Sequence, residues 1–417
     1  MRSQRGPGRY LGALAGPLML AGLLSGFSQA APAPAPPPAP APVPACQTWT
    51  AVPPLNPGTQ DNELDSVNVL SGTDAWAVGV SHDSGPEQTL TEHWDGSAWS
   101  VVPSPDPGSG NNFLFAVRGA SPTDVWAVGS YDVTSGSSTV SKTLILHSDG
   151  TTWSQMPSLS PGKAFNTLNA VRVVSANDVW AVGSFSNGAG SRSLILHWNG
   201  TAWQKVKSPN PAVVNNLSWV TSTSATDVWA VGELSNSNAL TGRMLRPGTH
   251  IAARADPRTF IVHWNGTSWS QVPSPSPGIF DFLEGVGATS TSNAWAVGTT
   301  HANGTADQTL ILHWNGTAWT RVMSPDPAGT GRENDLSGVA TTASNTAWAV
   351  GSFDDSSNAQ QALLLRWDGT SWQQVQIPAS GDSSGLSGVG ASSSGNAWAV
   401  GTDVSGTTGQ TLALHCS

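Results

Sequence analysis

Six histidines occupy one repeated position in this 417-residue chain, His93, His147, His197, His263, His313 and His415, and Arg366 stands where a further one would fall. Imidazoles in such number invite a metal site, for which neutral ring nitrogens are common ligands. Four carboxylates, Asp74, Asp124, Asp178 and Asp227, recur two residues before a repeated tryptophan and are the residue type that general acid–base chemistry uses. Both sets follow the repeat, however, and residues that follow a repeat are first of all what the repeat needs to fold. The histidines are expected on the third strand outward of each unit, far from one another and hydrogen-bonded in place. The aspartates are expected to cap turns. A further recurrent set, Asn62, Asn112, Asn166, Asn215, Asp281 and Asn334, reads as turn caps, with hydrogen bonding to a ligand as the alternative.

More specific chemistry has to come from the places where the repeat breaks. Trp219 stands where the other units have Ser66, Ala116, Ala170, Gly285, Gly338 and Gly388. Two residues further along the same strand come Asn68, Arg118, Arg172 and Thr221 in four successive units. An indole beside guanidinium groups is a platform for a sugar or an anionic ligand; the other reading of Trp219 is a plug in a central channel. The same unit carries a long connection, residues 233–259, holding Arg243, Arg246, Arg254 and Arg258, four of only 17 basic residues. It belongs to the site or is simply a loop. The candidate ligand-binding set is Trp219, Arg118, Arg172, Arg243, Arg246, Asn68 and Thr221, with no catalytic residue, metal ligand or cofactor assigned. Phe113, Phe115, Phe165, Phe280 and Phe282 lie in neighbouring connections and either pack between units or form a rim for a partner.

The element that must position these residues is the repeat itself. WAVG occurs seven times, with its tryptophan at Trp76, Trp126, Trp180, Trp229, Trp295, Trp348 and Trp398, at spacings of 50, 54, 49, 66, 53 and 50 residues. Strand-like content at a fixed period near 50 predicts an all-β, seven-bladed propeller with four antiparallel strands per blade. In strand order a unit reads L-x-x-V, then A/V-W-A-V-G, then T-L-I-L-H-W, then W-x-x-V running into S-P-x-P. Asx-Gly pairs such as Asn315-Gly316 join the third strand to the fourth, as tight hairpins require. The proline pairs suit an outermost edge. The seventh unit ends at its third strand. Its missing fourth strand is expected from Thr48–Pro53, which matches Ala98–Pro103, so the two ends of the chain would share a blade. The only two cysteines, Cys46 and Cys416, fall on either side of that junction and are expected to bond.

Composition supports the same picture. Nineteen of the 20 tryptophans sit at repeat positions, so indoles carry each blade's core. Residues 1–30 hold Arg2, Arg5 and Arg9, then an apolar run, then Ser28-Gln29-Ala30, the pattern of a cleavable export signal. Removing them takes the net charge from −10 to −13, because three arginines and no acid are lost. An acidic chain of this kind suits neither nucleic acid nor an anionic membrane surface. Residues 31–45, APAPAPPPAPAPVPA, read as a stiff extended spacer. The expected organisation is signal 1–30, linker 31–45 and propeller 46–417, in a secreted or surface-held monomer.

Ala294–Gly298 and Asn315-Gly316-Thr317-Ala318-Trp319, with their near copies, resemble bacterial propellers of the BNR/Asp-box and photosystem II stability-factor kinds, whose repeats carry a G-W-A-V-G strand before a D-G-x-x-W turn. The period is also similar to kelch and galactose-oxidase-type propellers. The match spans 46–417 and departs from the Asp-box, which has one more residue between Asp and Gly. Such families include sialidases, lectins and interaction scaffolds. A sialidase-like site needs three converging arginines and a Tyr–Glu pair. Only Arg118 and Arg172 fall on inner strands here, and Tyr131 is the sole tyrosine beyond the signal. A copper radical oxidase needs a Tyr–Cys crosslink, and both cysteines are already used. The sequence therefore points to a binding module for carbohydrate or a protein surface. A glycan-acting hydrolase or lyase and a surface structural protein are the alternatives.

Overall fold

The computed structural model describes residues 48–188, 190–237, 256–302, 304–343, 345–378 and 381–417. The expected signal and linker, Cys46, Arg243, Arg246 and Arg254 lie outside them. The described residues form 28 strands in seven four-stranded antiparallel sheets. Blade 1 comprises Asn62–Ser71, Asp74–Ser81, Gln88–Trp94 and Trp99–Val101. The next five blades repeat this order. The first strand of each blade contacts the first strands of both neighbours, and that of blade 1 contacts that of blade 7, so the ring is closed around an axis lined by first strands. We call the four strands A to D from the axis outward. The chain is a seven-bladed β-propeller.

The WAVG strand is apolar along its whole length because it is covered on both sides. In blade 1, Ala75 to Val80 are all buried. Its tryptophan leaves the blade. Trp76 meets the strand D tryptophan of the next blade, Trp153, edge to face at 5.3 Å and 90°, and Trp295 meets Trp372 at 5.2 Å and 89°. The glycine of WAVG has a steric cause rather than a dihedral one. A Cβ on Gly298 would lie 2.1 Å from the carbonyl oxygen of Phe282 in strand A, and one on Gly129 would lie 1.9 Å from that of Phe113. A register shift follows at once, between Leu283 and Gly285 in blade 5. The bulge presses the two backbones together at the point where the glycine sits. The Asx-Gly turns have the other cause: Gly316 has φ +95°, while Asn315 Oδ1 accepts the amides of Thr317 and Ala318 at 3.0 Å.

The ends of the chain share blade 7. Thr50 pairs with His415 and Ala51 with Leu414, and the Val52 amide donates to Ala413 O at 3.0 Å. A repeated latch is rebuilt across the junction. In blade 5, Thr309 N donates to Asp326 Oδ1 at 2.8 Å, tying strand C to the exit from strand D. In blade 7, Thr411 N donates to Asn56 Oδ1 at 2.7 Å, although the partners are 355 residues apart. Cys416 is buried at the end of strand C of blade 7.

One buried carboxylate belongs to this closure. Glu92 takes the place that Leu312 fills in blade 5 and is fully buried. Both of its oxygens accept the Leu55 amide at 3.2 Å. Leu55 stands where four other links have Pro105, Pro209, Pro275 and Pro325, which have no N–H to give. Burial pushes the Glu92 carboxyl up from 4.5 to about 7, against the opposing effect of the Leu55 amide.

Two outcomes follow from these contacts. Gly298→Ala should lower the unfolding free energy by about 3 kcal/mol in urea denaturation, because backbone must move to admit the methyl. Gly331→Ala, which meets nothing within 4 Å, should change it by less than about 0.5 kcal/mol. An acid held above its unfolded pKa favours the folded state fully below the unfolded value, and that advantage is lost as pH rises through the folded value. Glu92→Gln should therefore leave stability nearly unchanged at pH 4.5 and raise it at pH 8, by on the order of 3 kcal/mol; equal shifts at both pH values would show that Glu92 does not titrate in this window.

Candidate functional site

The repeated histidines are part of the frame. His197 Nε2 lies 2.8 Å from Asp178 Oδ1, and the corresponding distances are 3.1 Å for His93 and Asp74, 2.9 Å for His147 and Asp124, and 2.6 Å for His263 and Asp227. Each ring also lies against its own WAVG tryptophan, as His197 does on Trp180 at 4.2 Å between centroids. In blades 5 and 7 the partner is an amide, Asn293 for His313 and Asn396 for His415, and burial lowers both of these imidazole pKa values. Burial works to raise Asp227, but hydrogen bonds from His263, Thr223 and Trp229 outweigh it, and its carboxyl is held below the usual range.

The structure corrects the expectation that these aspartates cap turns. The A–B turns are capped by serine: Ser224 Oγ accepts the Thr226 amide at 3.2 Å and Ser71 Oγ accepts that of Thr73 at 3.2 Å. The aspartates are needed instead by the histidines. The asparagine set does cap, as expected. Asn166 is buried, accepts the Gly162 amide at 2.6 Å and donates to Gly162 O at 3.0 Å. Phe113, Phe115 and Phe282 are buried, so they pack rather than form a rim. Among the described residues, no three His, Cys, Asp or Glu side chains gather as a metal would require.

The departures from the repeat do converge, at the axis. Trp219 lies midway along strand A of blade 4, Val214–Ser224, and is only 8% exposed. It fills space at the axis instead of standing free at a mouth. Blades 5 to 7 are tight at the same level, where a Cβ on Gly285 would lie 3.1 Å from Gly338 Cα and one on Gly388 would lie 2.9 Å from Ser66 Cα. The Arg118 guanidinium, from blade 2, sits over the Trp219 ring with Cζ 5.0 Å from the centroid. Arg118, Arg172, Asn68 and Thr221 form a tier one step further along the strands, on the side of the A–B turns. The tier therefore lies on the side of the axis away from the D–A and B–C connections.

Within the tier, Arg118 Nη1 donates to Val117 O at 2.7 Å, Val67 O at 3.1 Å and Ser66 Oγ at 3.3 Å. Arg172 donates from Nε to Ser222 Oγ at 2.9 Å and from Nη2 to Ser222 O at 3.1 Å. Burial brings Arg118 down to about 10, with the charge of Arg172 adding to the effect, and burial also lowers Arg172. Asn68 Nδ2 is buried without a hydrogen-bond partner. On the face carrying the D–A and B–C connections, an open groove of about 480 Å³ runs between blades 3 and 4, lined by Phe185, Asn187, Arg192, Pro211, Val213 and Asn236. It adjoins the long connection of blade 4. Arg258, at the end of that connection, donates to Ser276 O at 3.3 Å.

No protein-family model and no curated protein matches this sequence. Solved structures do. The chain is similar to YCF48 bound to a D1 peptide, at 15% identity over 90% of this chain and 99% of that one, with a TM-score of 0.52. It is similar to YCF48 from Cyanidioschyzon merolae, at 14% identity over 88% and 98%, with a TM-score of 0.51. It is also similar to a PL25 ulvan lyase bound to -[GlcA(1-4)Rha3S]-, at 10% identity over 88% and 94%, with a TM-score of 0.53. The likeness is one of fold. It bears out the resemblance to photosystem II stability-factor propellers at that level.

Proposed function

We propose that this chain is an exported, non-catalytic binding module that takes carbohydrate or a protein surface at the propeller axis and on the face carrying the blade 4 connection. The observation that supports this reading is the placement of the asymmetry. Six blades keep small residues at the Trp219 position, yet the indole, the guanidinium over it, the groove and the longest connection all gather around blades 2 to 4. Residues that the repeat does not require are the ones free to serve a ligand. Similar propellers are described as binding a peptide and a polysaccharide, which keeps both ligand classes in view. Residues 1–30 serve as the export signal and 31–45 as the spacer. Outside the cell, Cys416 bonds to Cys46, the only other cysteine, and fastens the shared blade.

Peptide mapping without reduction should find Cys46 and Cys416 joined. Reduction should then lower the unfolding free energy by a few kcal/mol, as for a loop of this length in the chain-entropy model; two free thiols would remove the fastening. For the site, a glycan and peptide array should reveal a ligand whose affinity falls about tenfold in Trp219→Phe, a change that keeps an aromatic ring at the position but makes it smaller and weakens the cation–π face. Unchanged affinity, or turnover of any polysaccharide offered, would defeat the reading as a binding module centred on Trp219.

A further inference from the structure

We propose that the tier of Arg118, Arg172, Asn68 and Thr221 is an oxyanion site, holding a carboxylate or sulfate group inside the propeller axis. The inference deepens the reading of the axis as a binding site and rests on it. Arg118 and Arg172 occupy the same position on adjacent inner strands, close enough for one charge to act on the other. Two half-buried guanidiniums set side by side repel each other, which is costly unless negative charge is supplied. The protein does not supply it. All 27 acidic residues of the chain are among the described ones, and none forms an ion pair with either arginine. Hydroxyl and carbonyl oxygens from neighbouring strands, with Val117 O from Arg118's own strand, hold the two forks in place, using Nη1 of Arg118 and Nε and Nη2 of Arg172. Among the described residues, Nη2 of Arg118 and Nη1 of Arg172 have no protein partner.

The rest of the tier has the same sense. Asn68 Nδ2 is a buried donor with nothing to donate to, and the Thr221 hydroxyl stands at the matching position of blade 4. A set built almost wholly of donors selects an acceptor and rejects a cation, and guanidinium forks match the planar spacing of carboxylate and sulfate oxygens. Trp219 covers Arg118 on one side, which keeps water from screening the charge there. On the other side the inner strands run out to the A–B turns, where the next position holds small residues, Ala120, Thr223, Thr289 and Ser392, in four blades and Leu70 and Val174 in blades 1 and 3. Blades 5 to 7 put Gly287, Ala340 and Gly390 at the tier's position, so the donors are confined to one side of the axis.

Calorimetric titration of the whole protein with sodium sulfate and with sodium D-glucuronate, at constant ionic strength, tests this. One saturable site per chain is expected. It should weaken at least tenfold in Arg118→Gln and in Arg172→Gln and be unaffected in Arg321→Gln, an outer-strand control; cooperative melting of each variant shows that it is folded. Binding of both anions indicates a site open to the acidic group of a saccharide. Sulfate alone restricts it to inorganic sulfate or a sulfate ester and still supports it. No saturable uptake by the native protein, or uptake that survives both arginine substitutions, overturns the proposal. Anion uptake with no glycan or peptide retained would leave this site standing and remove the wider binding function. Glycan binding that persists in Arg172→Gln without anion uptake would do the reverse.

Discussion

The ring depends on a tryptophan that each blade gives to its neighbour. The WAVG indole leaves its own sheet and meets the strand D indole of the next one, edge to face, in pairs such as Trp126 with Trp203 and Trp180 with Trp269. A blade cannot bury this surface alone, because half of the contact belongs to the next blade. The stacked histidine and its acid or amide brace the indole from behind. The chain has to come full circle before the last pair forms: Trp398 finds Trp99 of blade 1 at 4.9 Å, and Trp49, on the segment that pairs with blade 7, joins the core that holds Trp348. The shared blade is thus the step that satisfies the indoles at both ends.

Because this contact lies between the sheets, the axis is under weaker control. The WAVG glycine is locked by a backbone carbonyl in all seven blades, whereas the inner-strand position occupied by Trp219 in blade 4 is Ser, Ala or Gly elsewhere. At the glycines of blades 5 and 7 neighbouring inner strands approach closely, and blades 1 to 4 carry the polar and aromatic departures. The frame and the polar members of the candidate site are therefore built from different residues, while Trp219 belongs to both. That separation lets a substitution at the axis be judged on binding without presuming that the propeller fails.

Much of this was legible in the sequence, for a physical reason. Seven copies of one packing problem leave seven copies of one solution, so strand order, hairpin turns and the borrowed strand could all be read from WAVG, Asn-Gly and Thr48–Pro53. The pairing of aspartate with histidine is also visible there. Where the acid becomes Asn293 or Asn396 the histidine stays, and where it becomes Thr346 the histidine becomes Arg366, so the two positions change together within one chain. Glu92 was signalled in the same way, as T-L-T-E-H against T-L-I-L-H. The depth of the arginine tier was not legible. Spacing gives the strand and the face, but how far a side chain lies from either end of the axis depends on strand direction and on the bulge after Leu64 and its equivalents.

The break in the covalent chain falls at a place with six counterparts. In blade 7 the third and fourth strands come from opposite ends of the molecule, where every other blade has an Asx-Gly hairpin. The ring therefore has no preferred starting point in its packing. Joining Cys416 to Thr48 by a short turn and opening any other hairpin would give a permuted propeller with the same set of contacts, and a different blade would then carry the seam.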